Sequence, residues 1–384
     1  MIDIIVKKYD KKLLIYLSIL AVLGTIMLYS ASWYESFSST NGKTEMLFLR
    51  NHLKRLLVGV SFLFGFLIID YRKLKSIAPH LIILSILLLV ATKVLYITSG
   101  YSWYKPARWL SLGSFSFQTS DLARFSVIIF MAYYADRKRD QLHEFQLGLV
   151  PAFGILGVIM TLIIIQPDYS TALMIGLIGG AILFIGGAKI SQLCLTASGA
   201  LLILIPVLLS REYRWQRILS FLGLGDNPDI GYQANQSLIS LGNGGIFGVG
   251  LGSSIEKNHF LPTPHTDFIF AIIGEELGFV MGTAPVLTLF LLIFLRGVKI
   301  AKMCTNPFGI FLSIGICLNL VQYAFINAAV VTGILPVTGL PMPMVSYGGS
   351  GMVINMAMMG ILLNISQSAK SITNELQWRG ATYG

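Results

Sequence analysis

Long apolar runs, separated by shorter polar segments, dominate the chain. An α-helix needs about 20 predominantly apolar residues to cross the hydrocarbon core of a bilayer, and most of these runs approach that length. The pattern predicts an all-α, polytopic integral membrane protein with ten transmembrane helices, in one transmembrane domain over residues 1–384. The predicted spans are 13–31, 53–69, 77–97, 121–135, 147–165, 170–188, 192–209, 267–294, 307–331 and 349–365.

Two segments between the apolar runs have a different character. Residues 210–266, between the seventh and eighth spans, contain the glycine-rich stretch "GNGGIFGVGLG" and apolar residues throughout. Loops of this length are usually functional or disordered, and the apolar content favours a folded loop with short helices. Residues 332–350 contain Pro and Gly residues that prevent a regular helix. Irregular backbone at membrane depth must pack against protein or line a water-filled cavity.

Composition and charge agree with a membrane protein and orient it. The chain is 55% hydrophobic and 12% charged, whereas soluble domains average about 25% charged residues. Basic clusters at "KKYDKK", "DYRKLK", "DRKRD" and "RGVKIAK" alternate with the spans, so both termini are predicted to be cytoplasmic and loop 210–266 external. The net charge of +10 is attributed to these loops and to lipid headgroups, not to nucleic-acid binding. The first run is too long for a secretory signal and is interpreted as an uncleaved helix.

The stretch "HTDFIFAIIGEELGF" places Asp267, Glu275 and Glu276 in an apolar run. A charged side chain within a membrane span costs about 2.5–3.5 kcal/mol on insertion scales, so such residues are usually functional. Asp267, at the outer end of the eighth span, can cap the helix or act as a general base, and the two roles are compatible. The glutamates are interpreted as partners of a buried cation or a backbone group, with Glu275 the better candidate to line an aqueous cavity.

Several cations could bind an anionic ligand at the external side. Arg211, Arg214 and Arg217 recur every three residues in "REYRWQR", on one face of a predicted helix. They either anchor lipid headgroups or bind a phosphate or diphosphate, for which the guanidinium fork is well shaped. Lys257 could join them.

Two further stretches combine acidic and basic residues. In "RWLSLGSFSFQTSDLARF", Asp121 and Arg124 are three residues apart and can pair on one helical face. The pair is either structural or places Arg108 or Arg124 near an anionic ligand. In "QPDYSTAL", Asp168 is expected to cap the sixth helix, and cation binding is the alternative.

The remaining patterns carry less chemistry. The glycine-rich stretch is explained by tight turns, or by a nest of amides for phosphate, and it matches no P-loop or dinucleotide fingerprint. Cys194, Cys304 and Cys317 have no CxxC spacing, and the chain contains no HExxH motif, so no metal site is predicted.

Two functional classes fit these residues: an enzyme acting on a lipid-linked anionic substrate at the outer face, and a transporter or flippase. Transporters usually bind their substrates near the midplane of the membrane. Here the polar residues gather at the external ends of the spans, which favours the enzyme. Because the two glutamates lie deeper in the membrane, a transporter remains the alternative.

Four stretches of the chain together resemble the SEDS family of bacterial cell-wall proteins (shape, elongation, division and sporulation). They are "RWLSLGSFSF", "QPDYSTAL", "FLPTPHTDFIFAIIGEELG" and "GLPMPMVSYGGSG". The resemblance covers nearly the whole chain, and "GLGSSIEKNHFLP" before the third stretch is more similar to division members than to elongation members. It implies a multi-pass protein of the bacterial cytoplasmic (inner) membrane, with its active site facing outside.

The resemblance implies an inverting peptidoglycan glycosyltransferase that polymerises lipid II into glycan strands on undecaprenyl diphosphate during septal wall synthesis. An elongation polymerase and a lipid II flippase are the alternatives. By its match to the family's His-Thr-Asp motif, Asp267 would be the catalytic carboxylate that takes the proton from the acceptor hydroxyl. Candidate ligands of the diphosphate or sugar are Arg108, Arg211, Arg214, Arg217, Lys257 and His265, and the supporting residues are Asp121, Arg124, Glu275 and Ser346.

The resemblance also implies partners. Family members work with a class B penicillin-binding protein, the transpeptidase that cross-links the strands, and with other proteins of the division or elongation complex. A divalent cation, Mg²⁺ or Mn²⁺, could assist departure of the diphosphate, although the sequence shows no set of ligands for it. No other cofactor is implied.

Overall fold

A computed structural model describes residues 9–98, 108–112, 115–209, 212–224, 228–258 and 260–381. These residues form α-helices and one antiparallel hairpin. The helices are α1 (Lys11–Ser39), α2 (Leu47–Ile68), α3 (Leu74–Thr98), α4 (Thr119–Arg137), α5 (Val150–Ile165), α6 (Tyr169–Ile185), α7 (Ile190–Leu209), α8 (Glu212–Phe221), α9 (Pro228–Gly244), α10 (Ile269–Gly278), α11 (Ala284–Met303), α12 (Pro307–Val331) and α13 (Ser350–Ala381).

The all-α, multi-pass character predicted from the apolar runs is confirmed. A helix lies at each of the ten predicted spans. Within the described ranges, seven helical segments are long and apolar enough to cross a membrane, and Tyr169–Ile185 and Ile190–Leu202 are shorter apolar helices. The fourth predicted span, α4, belongs to neither group, so the count of ten remains a prediction.

Helix α4 lies at the centre of the bundle, where it packs against α3, α6 and α12. Most of its side chains are buried by these neighbours, including the guanidinium of Arg124. A helix enclosed by protein does not need a lipid-facing apolar surface. This position explains why α4 is less hydrophobic than the other spans and can carry charged residues at its first turn.

The hairpin before α4 is a difference from the all-helical prediction. Strands β1 (Trp109–Leu112) and β2 (Phe115–Gln118) pair antiparallel, with Trp109 opposite Gln118. The stretch "WLSLGSFSFQ" alternates apolar and polar residues for much of its length, which is the period of a strand and not of a helix. Its pairing brings the start of α4 next to Trp109.

The eighth predicted span consists of two helices instead of one. Helix α10 ends at Gly278, which has φ +72°, and the π-helical turn Phe279–Thr283 leads into α11. Backbone of the preceding loop binds at this break, since the amide of Val249 donates to the carbonyl of Glu275 at 2.9 Å. The loop between α9 and α10 is therefore joined to the broken helix by main-chain hydrogen bonds.

Glycines make this close approach possible. A Cβ atom on Gly248 would overlap the backbone at Gly278, and a Cβ atom on Gly278 would overlap the backbone at Gly248. The amides of Val249 and Gly250 are bonded to carbonyls of α10, so these two do not form the phosphate nest considered for the glycine-rich stretch. The glycines serve the contact between loop and helix.

Replacing Gly278 with alanine is expected to destabilise the fold. Its φ and ψ, +72° and −170°, fall in a region that only glycine adopts readily, and the added methyl group meets backbone. Together these effects are expected to lower the free energy of unfolding by at least about 2 kcal/mol. Thermal unfolding of the detergent-solubilised variant measures the loss.

Gly157→Ala is the matched control for this variant. Gly157 lies in α5 with open space where its Cβ would be. Because alanine has the higher helix propensity, the control is expected to be as stable as the parent or slightly more so. Equal losses in the two variants would contradict the role assigned to Gly278.

Candidate active site

A cavity of about 310 Å³ lies at the end of the bundle where α4 and α6 begin. Its walls come from the hairpin, the first turn of α4, the residues before α10, and the irregular segment between α12 and α13. The lining includes Arg108, Gln118, Asp121, Arg124, Asp168, Asp267, Tyr323, Ser346 and Asn355. The fold thus brings together several of the site residues predicted from sequence, from segments far apart along the chain.

Asp267 is half-buried on the wall of this cavity. Helix α10 begins at Ile269, after Phe268 in the N-cap position, and has no side-chain cap. Asp267 therefore does not cap the helix, which was one of its two possible roles. Its Oδ1 instead accepts a hydrogen bond from Thr266 Oγ1 at 2.7 Å. A Cβ atom on Gly339 would lie 3.8 Å from Asp267 Oδ2, so backbone without a side chain faces this carboxylate.

The ion pair expected in the first turn of α4 is present. Arg124 Nη2 donates to Asp121 Oδ1 at 3.1 Å, and the guanidinium lies 4.4 Å from the centre of the Tyr323 ring. Ser350 Oγ donates to Asp121 Oδ2 at 2.7 Å. The Arg124 side chain is only 3% exposed. Its orientation is therefore fixed from both sides, by a carboxylate and by an aromatic ring.

Asp168 occupies the N-cap position of α6 but makes no capping hydrogen bond, contrary to the prediction. Its carboxylate instead turns toward the junction of β2 and α4. Oδ2 accepts hydrogen bonds from Gln118 Nε2 at 3.0 Å and from Ser120 Oγ at 3.1 Å. Oδ1 lies 3.7 Å from Nη1 of Arg108, whose side chain is 38% exposed. Arg108 therefore remains accessible at the cavity.

The irregular segment between α12 and α13 forms a further wall, as its Pro and Gly residues predict. Ser346 Oγ accepts a hydrogen bond from the amide of Met342 at 2.8 Å and so closes a turn beside the cavity. Ser170 Oγ, in the first turn of α6, donates to the carbonyl of Thr338 at 3.0 Å. Side-chain hydrogen bonds thus hold this non-helical backbone in place.

His265 lies behind the cavity wall and is not part of the lining. Its ring packs between Phe48 and Tyr347, with centroid distances of 4.4 and 5.5 Å. Nδ1 is 3.1 Å from Glu35 Oε2, and the His265 carbonyl accepts a hydrogen bond from the amide of Tyr347 at 2.8 Å. This geometry supports the wall and gives no contact with a ligand in the cavity.

Lys257 and Glu276 form a buried ion pair away from the cavity, at 2.6 Å, with side chains 1% and 0% exposed. Ser30 Oγ donates to the same carboxylate. Glu275 is also buried and accepts a hydrogen bond from the amide of Ile255 at 2.9 Å. The interpretation of the glutamates as partners of a cation and a backbone group is confirmed. Lys257 and Glu275 do not line this cavity, contrary to expectation.

Of the three arginines in the series, only Arg217 has a described side chain, and it is not part of the cavity lining. Arg211 and the side chain of Arg214 lie outside the described residues. Arg217, in α8, lines a separate pocket of about 160 Å³, where its Nη1 donates to the carbonyl of Val337 at 3.3 Å. The regular spacing predicted one helical face, but it could not indicate which pocket Arg217 adjoins.

Potential metal ligands are not clustered in the described part of the chain. Among the side chains that the structure describes, no group of three or more His, Cys, Asp and Glu is arranged to hold an ion. Asp121 and Asp168 receive hydrogen bonds and cationic partners from protein, and Asp267 receives a hydrogen bond from Thr266.

Two residues on α12 were not predicted from the sequence. Tyr323 lines the cavity, and Asn327 donates to the main-chain carbonyl of Asp267 at 2.6 Å. They are four residues apart in a span that also contains Ser313, Asn319 and Gln322, and the spacing of four places them on one helical face. Their common face was the sequence feature that could have indicated a role of α12 in the site.

Comparisons with known proteins agree with this fold. Residues 11–371 match the cell cycle protein family of FtsW, RodA and SpoVE. The chain is 36% identical over 366 residues to the probable peptidoglycan glycosyltransferase FtsW of Geobacter sulfurreducens, covering 95% of this chain and 97% of that protein. It is 35% identical over 364 residues to stage V sporulation protein E of Bacillus subtilis, covering 94% and 98%.

Two solved structures share the architecture. One comes from the work "Structural coordination of polymerization and crosslinking by a peptidoglycan synthase complex", with a TM-score of 0.75 at 25% identity over 94% of this chain and 98% of that one. The rod shape determining protein RodA of Thermus thermophilus gives a TM-score of 0.65 at 23% identity, over 94% and 97%. The chain therefore belongs to the FtsW, RodA and SpoVE family of cell cycle proteins and shares its multi-pass membrane fold.

Proposed function

We propose that this protein is a peptidoglycan glycosyltransferase that polymerises lipid II into glycan strands. The observation that carries the proposal is the half-buried Asp267 carboxylate on the wall of a cavity, opposite the bare backbone of Gly339 and in the same cavity as Arg108. The names of its relatives, among them peptidoglycan glycosyltransferase FtsW, supply the reaction class. The cavity contains a candidate base, Asp267, a cation, Arg108, and space for the reacting sugar groups.

Asp267 is assigned as the general base. Its Oδ1 is occupied by the hydroxyl of Thr266, while Oδ2 is the oxygen nearest Gly339. Oδ2 takes the proton from the acceptor sugar hydroxyl as that oxygen forms a bond to the anomeric carbon of the donor. The bond from the anomeric carbon to the diphosphate breaks, its electrons leave with undecaprenyl diphosphate, and the configuration inverts.

Arg108 is assigned to the departing diphosphate. A leaving group that gains negative charge is stabilised by cations already oriented in the site. Arg124 is almost fully buried between Asp121 and Tyr323, so it contributes a fixed positive charge to the wall. Arg108 is the more accessible guanidinium, and its distance of 3.7 Å from Asp168 leaves donors for a ligand.

Replacing Arg108 with Gln is expected to lower kcat/KM for lipid II at least about tenfold, since a hydrogen bond to a charged group contributes roughly 1.5–3 kcal/mol. Initial rates over a range of lipid II concentrations measure the change. Arg217→Gln is the matched control, because this arginine adjoins the other pocket. A larger loss of kcat/KM for Arg217→Gln than for Arg108→Gln would reverse the assignment.

The proposed setting follows from the basic loops and from the relatives. The whole chain forms one transmembrane domain in the cytoplasmic membrane, with both termini in the cytoplasm and with the cavity and loop 210–266 outside. A class B penicillin-binding protein is the proposed partner, in keeping with the structural relative from a peptidoglycan synthase complex. The FtsW relatives favour a septal role, so depletion of the protein should give filaments instead of round cells.

The direct test incubates purified protein with labelled lipid II, alone and with its transpeptidase, and separates the products by length. Glycan polymer that requires the protein supports the proposal. Lipid II that crosses a vesicle membrane without being polymerised would support the flippase in its place. Adding the transpeptidase to each reaction distinguishes an inactive enzyme from one that needs its partner.

A further inference from the structure

Asp267 lies just outside the helix that follows it, so α10 does not fix its backbone. The amide of Ala271 bonds to the carbonyl of Phe268, in a turn of three residues, and not to the carbonyl of Asp267. The Asp267 carbonyl is instead bonded to the side chain of Asn327, whose Nδ2 donates to it at 2.6 Å. A residue on another helix therefore holds the main chain of the proposed base.

The same amide nitrogen also holds the opposite wall. Asn327 Nδ2 donates to the carbonyl of Leu340 at 2.8 Å. Leu340 follows Gly339, the residue whose backbone faces the Asp267 carboxylate. The two hydrogens of one primary amide thus bind both sides of the gap in which the acceptor hydroxyl would lie.

Asn327 is well suited to this task because it is fixed itself. Its side chain is 1% exposed, and it projects from the last part of the long helix α12. A buried donor with two short hydrogen bonds to carbonyls has no water to exchange with, so the spacing between its acceptors is set by the amide geometry.

We infer that Asn327 is a positioning residue for the glycosyl transfer, which sets the separation between Asp267 and the Gly339–Leu340 backbone. The inference rests on the proposed function, in which Asp267 is the base. Misplacing a reacting group by about 1 Å costs around 100-fold in rate. Loss of the two hydrogen bonds should therefore reduce kcat, while the Arg108 side of the cavity and KM remain as they were.

The test uses Asn327→Asp in the full-length protein with labelled lipid II. The carboxylate has nearly the shape of the amide but donates no hydrogen bond when ionised, and it would face two carbonyl oxygens. We expect kcat to fall at least about tenfold with KM within about twofold, as expected for misplacement of a reacting group. Asn327→Ser keeps one donor and should give an intermediate kcat, and it also serves if the aspartate variant fails to fold.

Asn364→Asp is the matched control. Asn364 is also buried and also bridges two backbone groups, because its Nδ2 donates to the Leu67 carbonyl at 2.7 Å and its Oδ1 accepts from the Tyr71 amide at 3.0 Å. It lies in α13 and has no place in the cavity lining. A loss of thermal stability without a loss of kcat is expected there. An equal loss of kcat in the two variants would contradict the positioning role and show that Asn327 only stabilises the fold.

The single variants Asp267→Asn and Asn327→Asp, measured side by side, separate this inference from the proposed function. Full activity of Asn327→Asp, with Asp267→Asn inactive, would overturn only the inference. Full activity of Asp267→Asn would overturn the proposed function itself.

Discussion

Replacing Asp267 with Asn is expected to abolish glycan polymerisation. The amide cannot accept the proton of the acceptor hydroxyl, and a positioned general base contributes about 100-fold to 10,000-fold to a rate. The side chain keeps its size, and its amide oxygen can still accept the hydrogen bond that Thr266 now donates to Oδ1. Polymer formation from labelled lipid II, with lipid II binding measured separately, tests this expectation.

Asp136→Asn controls for loss of a carboxylate elsewhere in the fold. Asp136 lies at the far end of α4, where its Oδ2 is 2.6 Å from Nζ of Lys75. The Lys75 side chain is 47% exposed and that of Asp136 is 12% exposed. Because Asp136 is not part of the cavity lining, this variant should polymerise normally. If Asp267→Asn bound lipid II and still produced strands at the parental rate, another group would have to be the base.

Replacing Lys257 with Met is expected to destabilise the protein severely. The methionine fills similar space but leaves the Glu276 carboxylate buried without its cation. Removing one partner of a buried ion pair costs about 3–5 kcal/mol. The loss should appear as a large decrease in thermal stability in detergent and as reduced yield from the membrane.

The double variant Lys257→Met/Glu276→Leu is the informative control. Removing both charges leaves no uncompensated ion, and such replacements are often neutral or stabilising. We therefore expect the double variant to recover most of the lost stability, with Ser30 Oγ and the Gly252 carbonyl, to which Lys257 Nζ donates at 2.7 Å, as remaining polar neighbours. A double variant as unstable as the single one would show that the loop depends on the lysine for something other than charge.

The helices of this fold could be predicted because the membrane imposes one requirement on every span. An apolar run of sufficient length has few alternatives to a helix in lipid. The Asp121–Arg124 ion pair could also be predicted, since the two residues are three positions apart in one helical turn. Features that depend only on residues close together in sequence could therefore be predicted.

Features that depend on distant contacts could not be predicted. Asp168 has the sequence position of a cap, but Gln118 and Ser120 reach its carboxylate from a different segment. The break after Gly278 depends on a loop that approaches within hydrogen-bonding distance of α10. Neither the partner segment nor its direction is encoded in the spacing of apolar residues.

The three carboxylates in the apolar run around Asp267 also have environments that depend on residues distant in sequence. All three carboxylates were visible in the sequence, and the family motif singled out one of them. The structure separates them by environment, because Glu275 and Glu276 are buried with their partners while Asp267 is half-buried on the cavity wall. Asn327, which touches the main chain of Asp267, lies 60 residues away in sequence.

The size of the cavity constrains how a polymer could be made. At about 310 Å³, it is near the lower limit of pockets that enclose a drug-sized ligand. A strand of many sugars does not fit in this volume, so the protein would have to form one glycosidic bond at a time and let the product strand extend out of the cavity. The finished length of the strand would then be decided by how long its lipid-bearing end stays docked, and not by the dimensions of the protein.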